Sequence, residues 1–398
     1  MAESESGSCE PPEQQNSSDN AARYVEVSGN IVRYDASKSY RWNYDHPPDL
    51  PVQEGSVSDA SVSSQSNISS SAGPSSAAVE NGGGWDFMGI PVASPLGIAA
   101  GPLLNSAWCL YYAARGFDVL TYKTVRSSAR ECYEMPNLVP VQSSKMCGDE
   151  AMVKRGERMN GSWAVSFGMP SSSPEVWRRD VEFTRECLRH DQVLSVSVVG
   201  SQQDGWGLEE LASDYAKCAS WAAQSGADVI EANFSCPNVM TCDGQLYQDA
   251  DQARLVASEI RGRIGDVPLV IKIGYQPDLQ SARELVRSLD GVVDGLSMTN
   301  SLAASVADFD GGFLFDGERR GICGDAIFHA SCEQVERFSN AVVESGSAIK
   351  LIGVGGVHAA EQVAKYLAAG ASACHLATAV MTDPEIGLRL SSSFRASA

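Results

Sequence analysis

Residues 268–274 read PLVIKIG, an apolar run of a kind that recurs along the chain. Runs this continuous predict strands that are buried on both faces, which is typical of a parallel sheet. Eight such runs are present, at residues 96–101, 119–123, 193–200, 228–233, 268–274, 295–300, 349–356 and 373–379. Segments with helical periodicity lie between them, including residues 208–223, 251–264, 279–289, 332–344 and 359–369.

The alternation of strands and helices predicts an α/β fold, a TIM (β/α)8 barrel. The alternative is a doubly wound sheet, which usually carries G-x-G-x-x-G after its first strand. Residues 96–101 read LGIAAG and do not supply that motif, so the barrel is favoured. Two stretches between strands are long, residues 124–192 and 301–348, and long loops on the carboxyl side of a barrel usually build the functional site.

The first 84 residues differ in composition from the barrel domain predicted over residues 85–398. About half of the positions from Ser56 to Ser76 are serine, which predicts a flexible, largely disordered linker. An aromatic island near residues 23–49 shows strand-like alternation. Two hypotheses stay open for it: a short hairpin that docks on the barrel, or a disordered tail.

Charge and cysteine content exclude several classes of protein. The 398 residues include 30 Lys+Arg and 50 Asp+Glu, a net charge of −20 that disfavours a nucleic-acid partner. No stretch of 18 apolar residues and no secretory signal are visible, so we expect a cytoplasmic protein without a membrane partner. The 11 cysteines form no C-x-x-C pair, which argues against a disulfide framework or a metal site.

Polar side chains stand where several predicted strands end, which is where TIM barrels place their reacting groups. The fourth run leads into Asn233-Phe234-Ser235-Cys236-Pro237-Asn238. Taken alone, Cys236 is better explained as a small buried residue before a turn. Lys123 and Lys272 lie in apolar runs, where an ammonium needs an anion. A shared anionic ligand and a structural ion pair are the two explanations.

The remaining strand ends indicate binding of a phosphate. Asn300-Ser301 follows the sixth run, and Gly355-Gly356 and Thr378 follow the last two. Glycines there expose backbone N–H groups, which together with a helix N-terminus form an anion site. Ordinary turn glycines are the alternative, but the phosphate position of this fold lies beside the last two strands.

Residues 88–385 resemble the class 1 dihydroorotate dehydrogenases, FMN-binding TIM barrels of pyrimidine biosynthesis. The motifs are Ala99-Ala100-Gly101, Lys123-Thr124 with Arg130, Ser166-Phe167-Gly168-Met169-Pro170, Asn233 to Asn238, Arg320 to Gly324 and Ile352 to Gly356. They are similar, in order, to the family's A-A-G, K-[ST]…R, S-M-G-L-P, N-L-S-C-P-N, G-G-x-x-G and I-G-x-G-G. A cysteine at position 236 resembles class 1 and differs from the membrane-bound class 2.

The resemblance implies FMN as the cofactor, a small dihydropyrimidine as the substrate and a homodimer as the assembly. The implied FMN-binding residues are Ala100, Gly101, Lys123, Thr124, Lys272, Gly324, Gly355, Gly356 and Thr378. The implied substrate-binding residues are Phe167, Gly168, Met169, Asn233, Asn238, Asn300 and Ser301. Cys236 would take the C5 proton while C6 passes a hydride to the flavin.

Some positions depart from the family pattern. Val165 stands where the family has an asparagine, Arg320 replaces the first glycine of G-G-x-x-G, and Ala377 replaces a glycine before Thr378. The alternatives are therefore an oxidoreductase of the dihydropyrimidine dehydrogenase type and a non-catalytic flavin-binding barrel. A tRNA dihydrouridine synthase is disfavoured by the negative charge.

Overall fold

The computed structural model describes residues 31–49, 84–142, 145–235 and 245–394. In chain order, the strands of this part are β1 (Trp85–Phe87), β2 (Ile90–Val92), β3 (Leu96–Ile98), β4 (Val119–Val125), β5 (Leu138–Gln142), β6 (Met152–Arg155), β7 (Ser162–Val165), β8 (Val193–Val198), β9 (Val229–Asn233), β10 (Leu269–Lys272), β11 (Gly295–Met298), β12 (Leu302–Ala307), β13 (Arg320–Gly324), β14 (Lys350–Val354) and β15 (Ala373–Leu376). The helices are α1 (Tyr40–Asp45), α2 (Ser106–Ala113), α3 (Pro174–Cys187), α4 (Leu208–Gln224), α5 (Ala250–Ile264), α6 (Leu279–Leu289), α7 (Phe328–Ser345), α8 (Ala360–Ala368), α9 (Thr378–Thr382) and α10 (Ile386–Phe394).

Eight parallel strands close into a barrel in the order β3, β4, β8, β9, β10, β11, β14 and β15. These are the eight predicted runs, so the TIM barrel is confirmed. Every residue of β10 is buried, as expected for a strand with helices outside and side chains inside. The last run is a strand only as far as Leu376, because Thr378 begins α9.

The predicted helices lie between the strands. α6 has the predicted bounds, and its buried residues Ala282, Leu285, Val286 and Leu289 form one face. The Asp278 side chain caps it by accepting from Ser281 N at 2.7 Å. α7 begins at Phe328, four residues before the predicted start. None of the described helices combines the length and the hydrophobicity needed to cross a bilayer.

The amino end of the barrel is closed by apolar side chains. Val119, Val193 and Val229 are the first residues of their strands, and they pack with Phe87 and Met88 of the β1–β2 hairpin. An ion pair between Lys350 and Asp86 connects the hairpin to β14. Ligand access is thereby left to the carboxyl end of the barrel.

The two long stretches between strands build a second, smaller closed sheet, which we call the cap sheet. It consists of β5, β6 and β7 from the first stretch and β12 and β13 from the second. The order is β12, β13, β7, β5 and β6, and the parallel pair β6–β12 closes it. It has its own apolar core, which includes Val141, Val153 and Ile322.

Residues 31–49, which we call the N-terminal segment, pack against the barrel domain. Tyr40–Asp45 is helix α1, so the hairpin hypothesis is wrong for these residues. The reason is local: Ser39 caps the helix by accepting from Trp42 N, and Tyr40 and Tyr44 lie one turn apart with ring centroids 6.3 Å apart. The predicted disordered extension covers residues 1–84, of which residues 1–30 and 50–83 lie outside the described residues.

Candidate active site

A cavity of about 410 Å³ opens where β14 and β15 end. Of the residues predicted to bind ligand, five line it: Asn300, Gly324, Gly355, Gly356 and Thr378. They come from the end of β11, the end of β13, the turn after β14 and the start of α9. The structure therefore brings together the amide, glycine and hydroxyl groups that the sequence placed at separate strand ends.

The backbone at Gly324 and Gly356 cannot carry a side chain. Gly324 has φ +94°, and a Cβ there would lie 2.0 Å from the carbonyl oxygen of Gly161 on the neighbouring chain segment. Gly356 has φ +73°, and a Cβ would lie 2.5 Å from Cβ of Phe328 at the start of α7. These glycines allow the cap sheet and α7 to approach β14 closely, which leaves bare backbone at the cavity.

Lys272 is the last residue of β10 and is almost fully buried. Its Nζ lies 3.6 Å from Oε1 of Glu231 on β9, whose side chain is only 2% exposed. That carboxylate oxygen has no hydrogen-bond partner among the described residues. The charge of Lys272 is thus balanced by Glu231, which is the ion-pair explanation left open by the sequence.

Lys123 lies near the end of β4 and is also buried. Its Nζ donates to the carbonyl oxygen of Thr124 at 2.8 Å and to that of Pro170. Burial and, to a smaller extent, the nearby Arg126 guanidinium lower the pKa of this amine from 10.5 to about 7, and Cys132 acts in the opposite direction. The amine can therefore gain or lose a proton near neutral pH.

Residues 166–170, which the resemblance assigns to substrate binding and which we call the substrate loop for that reason, follow β7. Met169 Sδ lies 3.3 Å from Nδ2 of Asn233, which is buried at the end of β9. The Asn233 Oδ1 accepts from Ser235 N at 3.1 Å and from Ser235 Oγ at 2.7 Å. Phe167 and Gly168 are partly buried beside Met169, so the loop and the end of β9 form one surface.

Both departures from the family pattern near this loop are neighbours in space. Val165 on β7 pairs with Gly321 on β13, next to Arg320. The Arg320 Nε donates to Oγ of Ser166 at 2.9 Å. Where the family pattern has an asparagine and a glycine, this chain has an apolar side chain and a guanidinium bonded to the substrate loop.

The other predicted residues fall in several places. Ala100 and Gly101 follow β3, and Gly101 is exposed with open space around its Cβ position. Thr124 Oγ1 lies 3.0 Å from Ser197 Oγ on β8, and Ser301 contacts Gly321 of the cap sheet. Cys236 and Asn238 lie outside the described residues.

The structure adds residues that the sequence analysis missed. Thr299, Cys323 and His375 line the cavity. The Thr299 hydroxyl is buried without a hydrogen-bond partner among the described residues. Arg126 donates from Nε to Met169 O at 3.1 Å and so connects β4 to the substrate loop. Glu231 could have been found from the sequence, because a carboxylate within the apolar run VIEAN is as unusual as the lysine in VIK.

Comparison with known proteins identifies the family. The family model described as dihydroorotate dehydrogenase matches residues 85–395. This chain belongs to the dihydroorotate dehydrogenase family. The match covers the barrel, the cap sheet and every motif on which the resemblance was based.

Individual members of the dihydroorotate dehydrogenase family agree with this. The chain is 30% identical to the dihydroorotate dehydrogenase of Dictyostelium discoideum over 321 residues, which is 76% of this chain and 86% of the relative. It is 30% identical over 199 residues to the catalytic subunit of dihydroorotate dehydrogenase B (NAD(+)) of Bacillus pumilus, covering 49% of this chain and 59% of that subunit. The crystal structure of DHODH from Eimeria tenella in complex with ferulenol has a TM-score of 0.62 at 18% identity, over 78% of this chain and 82% of that chain, which shows a shared fold.

Proposed function

We propose that this protein oxidises dihydroorotate to orotate with FMN, in pyrimidine biosynthesis. The observation that carries the proposal is the family match over residues 85–395, which includes the cavity at the ends of β14 and β15. That end of a TIM barrel is where phosphate groups commonly bind.

The residues around the cavity fit a flavin mononucleotide. The volume of the cavity, about 410 Å³, is within the range of small-ligand sites. Gly324, Gly355, Gly356 and Thr378 would hold the phosphate, because bare backbone N–H groups and a hydroxyl are suitable donors. The unpartnered hydroxyl of Thr299 would gain an acceptor from a ligand there. Ala100, Gly101, Lys123, Thr124 and Lys272 would surround the ring.

The proposal gives Lys272, the site asparagines, Ser301 and the substrate loop separate roles in binding the flavin ring and the substrate. The chemistry supplied by bound FMN is acceptance of the hydride that leaves C6 of the substrate. The Lys272 ammonium would stabilise the negative charge that develops on the ring. Asn233, Asn238, Asn300 and Ser301, with the substrate loop, would hold the dihydropyrimidine by amide hydrogen bonds, since each carboxamide both donates and accepts.

Cys236 would be the general base. As a thiolate it takes the proton from C5 into a new S–H bond, and the C5–H electron pair forms the C5–C6 double bond as the hydride departs. A thiol is suited to this task once its pKa approaches neutrality.

The proposal is tested with the purified protein and its visible spectrum. We expect flavin absorbance that bleaches when dihydroorotate is added without air. Cys236→Ala should keep the absorbance and bleach about 100-fold to 10,000-fold more slowly, the usual effect of losing a general base. Cys147→Ala removes an exposed cysteine and should bleach at the normal rate. Colourless protein that takes up no added FMN would refute the proposal.

A second candidate substrate follows from Val165 and Arg320. The lost carboxamide and the added guanidinium change the donors around the substrate loop, which favours a different dihydropyrimidine. In the same anaerobic assay, faster bleaching by dihydrouracil or dihydrothymine than by dihydroorotate would establish this alternative.

The compartment and the assembly also belong to the proposal. The described cysteines at 109, 132, 147, 187, 218, 323, 332 and 374 are all free thiols, which supports a reducing compartment such as the cytoplasm. The homodimer stays a prediction, and sedimentation of the flavin-loaded protein would test it.

A further inference from the structure

The N-terminal segment is anchored to α2 of the barrel domain. Val32 N donates to the Tyr111 hydroxyl at 2.9 Å, and Trp108 Nε1 donates to Asn43 O at 3.2 Å. Asn105, the cap residue of α2, donates from Nδ2 to Tyr44 O at 3.0 Å. Because these contacts are spread over the segment, they hold it in one orientation on the barrel. The segment precedes residues 85–395, so the family match does not account for it.

The side of the segment that faces the barrel reaches two predicted site residues. The Lys123 Nζ lies 5.6 Å from the ring centroid of Tyr40. The Tyr40 and Tyr34 rings pack edge-on against Phe167 of the substrate loop, with centroids 6.0 and 6.2 Å away. The ring face of Tyr40 carries partial negative charge, which attracts an ammonium group and excludes water from it.

Asn137 connects the same segment to the substrate loop through hydrogen bonds. Its Oδ1 accepts from Tyr40 N at 3.2 Å, and its Nδ2 donates to Ser166 O at 3.0 Å. Its backbone oxygen also accepts from Ser166 N at 2.8 Å. Asn137 is 2% exposed, so these bonds form away from water. Displacement of α1 would remove one of the partners that fix this side chain.

We propose that the N-terminal segment forms one side of the active site. In this segment, Tyr40 is a positioning residue for the Lys123 ammonium and, through Asn137, for the substrate loop. This inference rests on the proposed function, which assigns the substrate loop to the dihydropyrimidine and places Lys123 beside the flavin ring. It adds a contact between the Lys123 ammonium and the substrate. The substrate is an anion, and an ammonium held in place beside the loop would bind its carboxylate. Loss of the Tyr40 ring would expose the amine to water and leave only the carbonyl oxygens of Thr124 and Pro170 to hold it.

The test compares variants of the full-length, FMN-loaded protein. Tyr40→Ala should raise KM for dihydroorotate roughly tenfold, as expected for loss of a desolvated cation–π contact, with smaller effects on kcat and no loss of flavin. Tyr40→Phe keeps the ring face and should restore the normal KM. Trp42→Ala changes an exposed aromatic residue of the same helix and should leave KM unchanged. Tyr40→Leu, which keeps most of the apolar volume, replaces Tyr40→Ala if that variant does not fold.

A second measurement does not depend on activity. Acetic anhydride labels free amines, and mass spectrometry compares Lys123 with the exposed Lys217. Tyr40→Ala should increase the labelling of Lys123 several-fold, and Trp42→Ala should not. Equal labelling and equal KM in the two variants would overturn the inference. If wild-type protein is not bleached by dihydroorotate but Lys123 labelling still rises in Tyr40→Ala, the proposed function fails and the positioning of Lys123 stands.

Discussion

His375 on β15, which also lines the cavity, gives a prediction about the stability of the barrel. Its side chain is 1% exposed, and neither ring nitrogen has a hydrogen-bond partner among the described residues. The ring stacks on Phe87 at 5.6 Å and lies over Gly97, where a Cβ would be 2.4 Å from Cδ2. Burial lowers the pKa of His375 from 6.5 to about 3. The imidazole is therefore neutral in the folded protein over most of the pH range.

The direction of the effect follows from linkage. The unfolded chain takes up a proton on this residue below pH 6.5, whereas the folded chain does so only near pH 3. His375 thus contributes stability that is present above pH 6.5 and is lost as the pH falls toward 3. Between pH 7.5 and pH 5.0 the loss from this residue alone is about 2 kcal/mol. His375→Leu replaces the imidazole with an apolar group and should remove that part of the pH dependence.

The assay is equilibrium unfolding in urea at several pH values, for the wild-type protein and the variant in parallel. The difference between the two curves isolates the histidine, since all other groups are common to both. His329→Leu, on the exposed surface, is the matched control and should retain the wild-type pH dependence. If the stability of His375→Leu falls with pH as steeply as that of the wild type, the reasoning is refuted.

Three further predictions concern the site. Gly324→Ala places a Cβ 2.0 Å from Gly161 O and should reduce FMN retention after desalting more than tenfold. Gly291→Ala, which has open space at its Cβ, is the control and should retain FMN. Equal retention by the two variants would contradict the role of Gly324. Lys123 lies beside Arg126, Cys132 and the Tyr40 ring, and it is protonated below its pKa of about 7. The KM for the anionic substrate should therefore rise as the pH increases above 7. A KM that stays constant from pH 6 to pH 9 would disprove this. Lys272→Met leaves the Glu231 carboxylate buried without its partner and should cost about 3 kcal/mol of unfolding free energy, most of which Lys272→Met with Glu231→Gln should recover. A double variant no more stable than Lys272→Met would show that the pair is not coupled.

The barrel could be predicted from the sequence because burial on both faces leaves a direct trace. Strands such as Leu269–Lys272 are apolar at nearly every position, and few other structures produce that pattern. The same reasoning located Gly355, Gly356 and Thr378, because the carboxyl ends of parallel strands meet at one edge. These residues do line one cavity.

Other elements left no readable trace. All residues of α2 are buried, so it has no polar face and no helical periodicity of hydrophobic residues. The short strands of the cap sheet pair across distant parts of the chain, as in Gly321↔Val165, and local pattern does not encode such pairing. In the N-terminal segment, the alternation around residues 40–44 resembled a strand, but the cap at Ser39 and packing against the barrel favour a helix.

The position of Glu231 shows a limit of a different kind. The sequence VIEAN contains the carboxylate of Glu231, and the sequence LVIK contains Lys272. Their ion pair depends on β9 and β10 being adjacent and in this register. Lys272 pairs with Asn233 in the ladder, which brings Glu231 close along the inner face of the barrel. Sequence alone gives two unusual charges, and only the strand order shows that they balance each other.

The closure of the cap sheet has a consequence for biogenesis. Its parallel pair joins Val153 to Val306, about 150 residues later in the chain, so the cap cannot close until most of the barrel has been made. Gly324, which faces the cavity, belongs to a strand of this cap. Cofactor capture should therefore be a late event in maturation: in refolding, helical circular dichroism should recover before flavin fluorescence is quenched. A nascent chain that stops before β12 would lack the closed cap sheet and should leave the ribosome without bound FMN.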